Sequence, residues 1–423
     1  MTTHIKRHLA AGMVAAWAFG CAAAAPLSSH SAEPIDLAGA IRLALDGPRL
    51  RAAGHEAAAG AAAVEQAGRY PNPTLEYLRE GEQAGARTST VQINQPIELG
   101  GKRRARVALA ESTAAQARGE LDALRQELRA ETIAGWHTVL AAQERQELAT
   151  TLAGLAARST EVAERQVAAG KVSPIDATRA RLAAVDAHTE LNAATADLAI
   201  ARTRLAALVG RSAETLVLAR QEAPLRSSLP QLKPLAALLA EAAQATPVRR
   251  ARGQLAAQEA QTQVERAARL PDLTLTVGSQ KTDDFGRRQA VVGVSLPLPL
   301  FNRNEGNLLA ALRRSDKARE EVAVAETAAA SELGAAWTRY EQARTEAAML
   351  RADVIPSAQS AYELTLKGFE HGKFAFLDVL DAQRTWARVQ SRQWAATQEA
   401  WRAYADIARL AGAAIEQDRL ERP

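Results

Sequence analysis

A mainly α-helical fold with a small β part, built twice from one long unit, is predicted by three features of the sequence. Gly170-Lys-Val-Ser-Pro-Ile-Asp176 returns 202 positions later as Gly372-Lys-Phe-Ala-Phe-Leu-Asp378. Proline is absent between Pro96 and Pro174 and between Pro299 and Pro356, which leaves room for very long helices. Short stretches of apolar–polar alternation precede each of those gaps. Other landmarks recur in the same order: Pro48 and Pro247, Arg69-Tyr-Pro71 and Arg269-Leu-Pro271, Pro96 and Pro297, Gly210 and Gly412, at offsets drifting from 199 to 202. One long duplicated unit, not a solenoid of short repeats, has this signature.

Hydrophobic residues make up 47% of the 423 but aromatics only 4%, with alanine supplying much of the apolar share. Such a chain packs helix on helix at short range instead of filling a bulky core. The net charge of +4, less Lys6 and Arg7 if a leader is removed, leaves +2. Without a clustered basic stripe this excludes nucleic acid as a partner.

Residues 1–25 read as a secretory signal, with Lys6 and Arg7 as the charged start, an apolar run from Leu9 and small residues at Ala22–Ala25. The run is too short to span a membrane. Cys21 is the single cysteine. It is a candidate for lipidation, although the leucine usual three residues earlier is missing, and loss with the leader is the alternative. No disulfide can form within one exported chain, so packing or assembly must hold it.

The first repeat spans 26–210. A helical pattern from about 36 to 68 breaks at Asp46-Gly47-Pro48. Strands are predicted at about 73–79 and 88–97, joined by the polar Glu80–Arg87 segment. The tip at 170–176 joins a helix running from Lys102 to Ala169 to one starting at Pro174. Glycine followed by Ser173-Pro174 is a helix stop and a helix start. Leu121, Leu124, Leu128, Ile133, Trp136 and Leu140 recur at three- and seven-residue spacings, as coiled-coil packing requires. Residues 211–234, with three prolines, form an equatorial linker. The second repeat spans 235–412, with strands at about 272–281 and 289–298, a kink at Pro356 and a tip at 372–378; a tail follows at 413–423. Alternating strands of this length match a tilted crossing of an outer membrane. Four strands cannot close a barrel, and open edges are forbidden in lipid, so other chains must complete them.

The segments Gln95-Pro-Ile-Glu-Leu-Gly-Gly-Lys-Arg103, Pro297-Leu-Pro-Leu-Phe-Asn-Arg-Asn-Glu-Gly306 and Leu377-Asp-Val-Leu-Asp-Ala382 after Gly372 carry a resemblance covering nearly the whole mature chain. The sequence resembles the TolC-like outer membrane efflux proteins, and within them the outer-membrane component of cobalt-zinc-cadmium-type cation efflux systems. The resemblance implies a homotrimer in which four strands per chain build one 12-stranded outer-membrane β-barrel, continued by a periplasmic α-barrel. It further implies a periplasmic adaptor, an inner-membrane RND pump, contact with outer-membrane lipid and a cargo of divalent heavy-metal cations. No cofactor is implied.

The tips carry the candidate site residues. Asp378 and Asp381 share a helical face at i, i+3, so threefold assembly stacks them into rings; the matching positions of the first tip are Asp176 and Arg179. One layer would hold Asp176 with Asp378 and the next Arg179 with Asp381. Asp176 also fits a helix-start role behind Ser173, whereas Asp378 has Ala375 at the matching position, which favours a pore ring for Asp378. In the family an arginine near the second tip ties the closed gate to an aspartate at the place of Asp176. Phe374 stands at that arginine's place, which implies a hydrophobic constriction. Gly170, Lys171, Gly372 and Lys373 are candidates for adaptor contact.

His371 beside Glu370 lacks further ligands and reads as surface, so no metal site is assigned. The run Lys102-Arg103-Arg104-Arg106 opens a helix, where cations are disfavoured. It points to lipid phosphates or to a solvated basic face. Gly100-Gly101 reads as a strand-to-helix turn, not a phosphate loop. No nucleophile–base constellation occurs, so catalysis is not expected. Two other readings remain: a periplasmic coiled-coil adaptor or scaffold, and the same duct carrying organic compounds. The paired ribbons at equivalent points of the duplication argue against the adaptor.

Overall fold

The computed structural model describes residues 34–81, 87–218, 229–282 and 287–411. Residues 1–33 with Cys21, His4, His8 and His30, and residues 82–86, 219–228, 283–286 and 412–423, lie outside them. In chain order, α1 (Leu37–Leu45) and α2 (Pro48–Ala67) lead to β1 (Thr74–Glu80) and β2 (Thr88–Ile97), then to α3 (Lys102–Ala168) and its return α4 (Pro174–Val209). The second half repeats the order with α5 (Leu235–Glu241), α6 (Thr246–Ala267), β3 (Leu273–Thr282) and β4 (Arg288–Ser295). Its outgoing helix comes in two pieces, α7 (Glu305–Met349) and α8 (Ile355–Glu370), and α9 (Phe376–Ala411) returns.

The 67 residues of α3 make a rod of about 100 Å at about 1.5 Å per residue. Gly100 and Gly101 start it, both left-handed at φ 70° and 74°, a pairing that turns a strand sharply into a helix. In the second half Asn304 holds the equivalent left-handed turn at φ 57°, and its amide donates to the Glu265 carbonyl at 3.0 Å and carboxylate at 2.8 Å. Pro356 has the effect expected of it. A wide π-helical turn at Leu350–Val354 separates α7 from α8, and Ser357 Oγ donates to the Asp353 carbonyl at 2.7 Å.

The alanine-rich composition shows in the packing. Ala114, Ala163, Ala194, Ala400 and Ala403 are at most 2% exposed. On the membrane side α3 packs on α2 and α6, with α6 on α7; on the tip side α4, α3, α9 and then α7 with α8 lie side by side as a curved wall. The mid-level core joins Ile133, Leu238, Leu333, Tyr340 and Ile407. Residues flanking the undescribed 219–228 stretch belt this level: Ile35 bridges to Leu218, and Trp337 Nε1 donates to the Lys233 carbonyl at 3.2 Å. Near the tips Leu152, Tyr362, Phe369, Phe376 and Trp386 form a separate core.

The two ribbons merge into one antiparallel sheet of order β1-β2-β3-β4. Its central ladder, β2 with β3, joins the two halves of the chain over ten residue pairs from Thr88↔Thr282 to Ile97↔Leu273. The edges β1 and β4 have no strand partner among the described residues.

Candidate functional site

Both tips end on the same C-terminal cap. At the first, Gly170 is left-handed (φ 66°), Lys171 N–H donates to the Gln166 carbonyl at 2.9 Å and Gly170 N–H to that of Val167 at 2.9 Å. At the second, Gly372 (φ 70°) and Lys373 repeat this with the carbonyls of Phe369 and Gly368 at 2.9 and 2.8 Å. Glycine tolerates the left-handed position, which is why both copies keep it. The caps leave Lys171 and Lys373 exposed at the extreme end of the molecule.

The tip acids fall differently from expectation. Within one chain Arg179 pairs with Asp176 at 3.5 Å. Asp378, for which capping is the weaker expectation because Ala375 stands at the cap position, does cap: its Oδ2 accepts from the Ala375 N–H at 2.9 Å. The reach-back half of a capping box needs only a carboxylate at the third helical position, whatever residue caps the helix. Asp381 is exposed and makes no hydrogen bond or ion pair among the described residues. Phe374 is half-exposed, and its ring lies on Gly368, where a Cβ would come within 2.0 Å of Phe374 Cδ2. Gly368 thus provides the seat for the phenyl ring, one turn before the tip.

One face of the sheet is polar and partly shielded and the other is apolar and exposed; since these strands contact chiefly one another, the shielding marks the polar face as concave and the apolar face as convex. On β2 and β3 the concave residues Thr90, Gln92, Asn94, Thr274 and Thr276 are buried or half-buried, while Val91, Ile93, Leu275 and Val277 between them are exposed. Polar-in, apolar-out alternation on a curled sheet is the pattern of a barrel wall in lipid. Glu76 sits on the concave face and accepts from Gln92 Nε2 at 2.8 Å and Asn94 Nδ2 at 3.0 Å; Thr276 donates to Asn94 Oδ1 at 2.7 Å. Sequence reading passed over Glu76, although its place in Thr74-Leu-Glu-Tyr-Leu puts it opposite Leu75 and Tyr77.

The basic run at the start of α3 is not poised for lipid phosphate. Lys102 pairs with Asp272 at 2.7 Å; Arg103 donates to the Gly68 carbonyl at 2.7 Å and to Tyr70 Oη at 2.9 Å; Arg106 binds Glu98 and the carbonyls of Ala67 and Arg69. Arg103 and Arg106, misplaced for their own helix, satisfy the free carbonyls at the C-terminal end of α2, where positive charge is favoured. Of the four, Arg104 alone is exposed and makes no hydrogen bond or ion pair among the described residues. A second feature with no sequence signal is His137 of α3, 8% exposed and stacked on Trp401 of α9 with centroids 3.6 Å apart. Among the described residues no group of three or more His, Cys, Asp or Glu side chains is arranged to hold a metal ion.

A family model described as outer membrane efflux protein matches residues 42–211 and again 238–413, once for each half. The chain belongs to the outer membrane efflux protein family. Within this family it is 39% identical to the cobalt-zinc-cadmium resistance protein CzcC of Cupriavidus metallidurans, over 90% of this chain and 91% of that one. It is 30% identical to the nickel-cobalt-cadmium resistance protein NccC of Alcaligenes xylosoxydans, over 66% of this chain and 62% of the relative. Among solved structures the fold matches the outer-membrane channel OprN (22% identity, TM-score 0.75, covering 88% and 89% of the two chains). It likewise matches CusC (18% identity, TM-score 0.76, covering 88% and 91%). An outer membrane efflux protein is placed by its family in the outer membrane, with the helical body on the periplasmic side.

Proposed function

We propose that this chain is one third of a passive duct that carries divalent heavy-metal cations from an inner-membrane pump and periplasmic adaptor across the outer membrane. The observation that carries this reading is the four-stranded sheet with open edges, apolar convex face and polar concave face. Three copies joined β4 to β1 close a 12-stranded barrel and leave no unpaired backbone in lipid. The cation preference is supported by the resistance named for CzcC and NccC and by Glu76 on the concave, lumen-side face. A duct has no need of a metal site, since cargo that binds tightly does not leave. The test is deletion of the gene beside its native pump. Cobalt, zinc or cadmium is expected to become toxic at lower concentration; unchanged tolerance to all three, with organic compounds becoming toxic instead, contradicts the metal cargo.

Asp378 and Asp381 of three chains stack at the tapered end and favour cations there. Exchange of both for asparagine keeps the Ala375 cap, because an amide oxygen also accepts, and removes the charge. In a planar bilayer the wild type is expected to be cation-selective and blocked by divalent cations, and the double variant to lose most of both. Full retention of block would return both acids to helix capping. The exposed Lys171 and Lys373 face the adaptor, and their joint exchange for glutamate is expected to weaken cross-linking to it; normal cross-linking by a folded variant speaks against docking at the tips.

A further inference from the structure

The register brings together a row of cations at the loop end of the sheet. Arg79 lies opposite Ser89, Ser89 opposite Lys281, and Lys281 opposite Arg288. All four share the convex face, one step beyond the row Tyr77, Val91, Ser279 and Ala290 and two steps beyond the apolar row Leu75, Ile93, Val277 and Val292. Arg79, Lys281 and Arg288 are exposed, and none has a carboxylate partner among the described residues. The acids Glu82, Asp283 and Asp284 lie outside those residues.

The height of this row is informative. The long helices leave the sheet from the opposite end, so the row stands at the extracellular side. From Leu273 to Lys281 is eight residues, about 26 Å of strand at about 3.3 Å per residue, which at the usual strand tilt covers about 20 Å of depth, most of the apolar band of an outer-membrane barrel. The cations therefore stand where hydrocarbon gives way to headgroups, just past the aromatic Tyr77, which is 63% exposed. The pairing itself calls for an anion: Lys281 and Arg288 are directly opposite, and like charges in that relation destabilise a ladder. A phosphate between them replaces that repulsion with charge-assisted hydrogen bonds, to which the guanidinium groups are well shaped.

We propose that the Arg79–Ser89–Lys281–Arg288 row binds phosphate-bearing headgroups of outer-leaflet lipid, anchoring the barrel at a fixed depth. This rests on the outer-membrane duct reading above. The test uses the full-length protein in neutral detergent at low salt, offered lipid A with its two phosphates or the same lipid with both removed, and scored by lipid retained through gel filtration. The wild type is expected to retain the phosphorylated lipid only. Arg79→Ser, Lys281→Ser and Arg288→Ser together are expected to weaken retention by about tenfold or more. Equal retention of the two lipids, or undiminished retention by the triple variant, overturns the proposal. Displacement of the lipid by inorganic phosphate at the same concentration marks a free-anion site and also overturns it. Should the triple variant fail to assemble, Lys281→Ser alone is expected to weaken retention about threefold, and no weakening overturns the proposal. The same column reports assembly: a trimer indifferent to lipid phosphate defeats this inference alone, whereas a monomeric wild type defeats the duct reading with it.

Discussion

Replacing Gly278 by valine is expected to abolish assembly of the outer-membrane sheet. Gly278 lies on the concave face of β3, opposite Gln92, in the ladder that joins the two halves of the chain. A Cβ there would stand 2.5 Å from the Val91 carbonyl oxygen, 2.7 Å from Gln92 Cβ and 2.9 Å from Gln92 Cα. Two of these three are backbone atoms, so relief requires moving β2 itself, and overpacking of this kind costs about 3 kcal/mol or more. Gln92 would also lose its place beside Glu76. Gly293 on β4 provides the control, because a Cβ there meets only Thr276 Cβ at 3.6 Å, an ordinary contact. Gly278→Val is expected to leave little protein in the outer-membrane fraction, while Gly293→Ala accumulates normally. Equal accumulation of both contradicts the tight β2–β3 approach.

A second large effect is expected from acid. His137 is buried between α3 and α9, neither ring nitrogen has a hydrogen-bond partner among the described residues, and burial pushes its pKa down from 6.5 to about 3. The folded protein therefore holds a neutral imidazole where the unfolded chain takes up a proton. The stability this contributes is complete above about pH 6.5 and is lost as pH falls towards 3. Each unit is worth about 1.4 kcal/mol, so between pH 6.5 and pH 5 the loss approaches about 2 kcal/mol. The stack on Trp401 reduces this somewhat, since an imidazolium is attracted to an indole face. Urea unfolding followed at pH 7 and pH 5 is expected to show this loss in the wild type and much less of it in His137→Phe. An identical loss in both proteins would mean that other groups carry the acid sensitivity.

The parts of the fold legible in the sequence are those written in local chemistry. Gly170 and Gly372 announce the tips because only a left-handed residue closes that cap. Thr74-Leu-Glu-Tyr-Leu and Leu273-Thr-Leu-Thr-Val announce strands because their period is two. What was misread depends on partners distant in sequence or lacking side-chain identity. Arg103 and Arg106 looked free for lipid because their acceptors are backbone carbonyls of Ala67, Gly68 and Arg69, which leave no mark in composition. Asp378 looked more like a pore residue than a cap because its capping bond goes to the N–H of Ala375, and every residue but proline has one. His137 and Trp401 meet only because α3 lies on α9, and the crowding at Gly278 arises from the close approach of β2 and β3.

The central claim is that this sheet is incomplete alone and is closed by two further copies of the chain. Native mass of the protein extracted from the outer membrane in mild detergent tests it most directly. Three chains of 45.1 kDa, each less any leader removed, are predicted to travel as one particle. Recovery of a stable, folded particle with the mass of a single chain would contradict it.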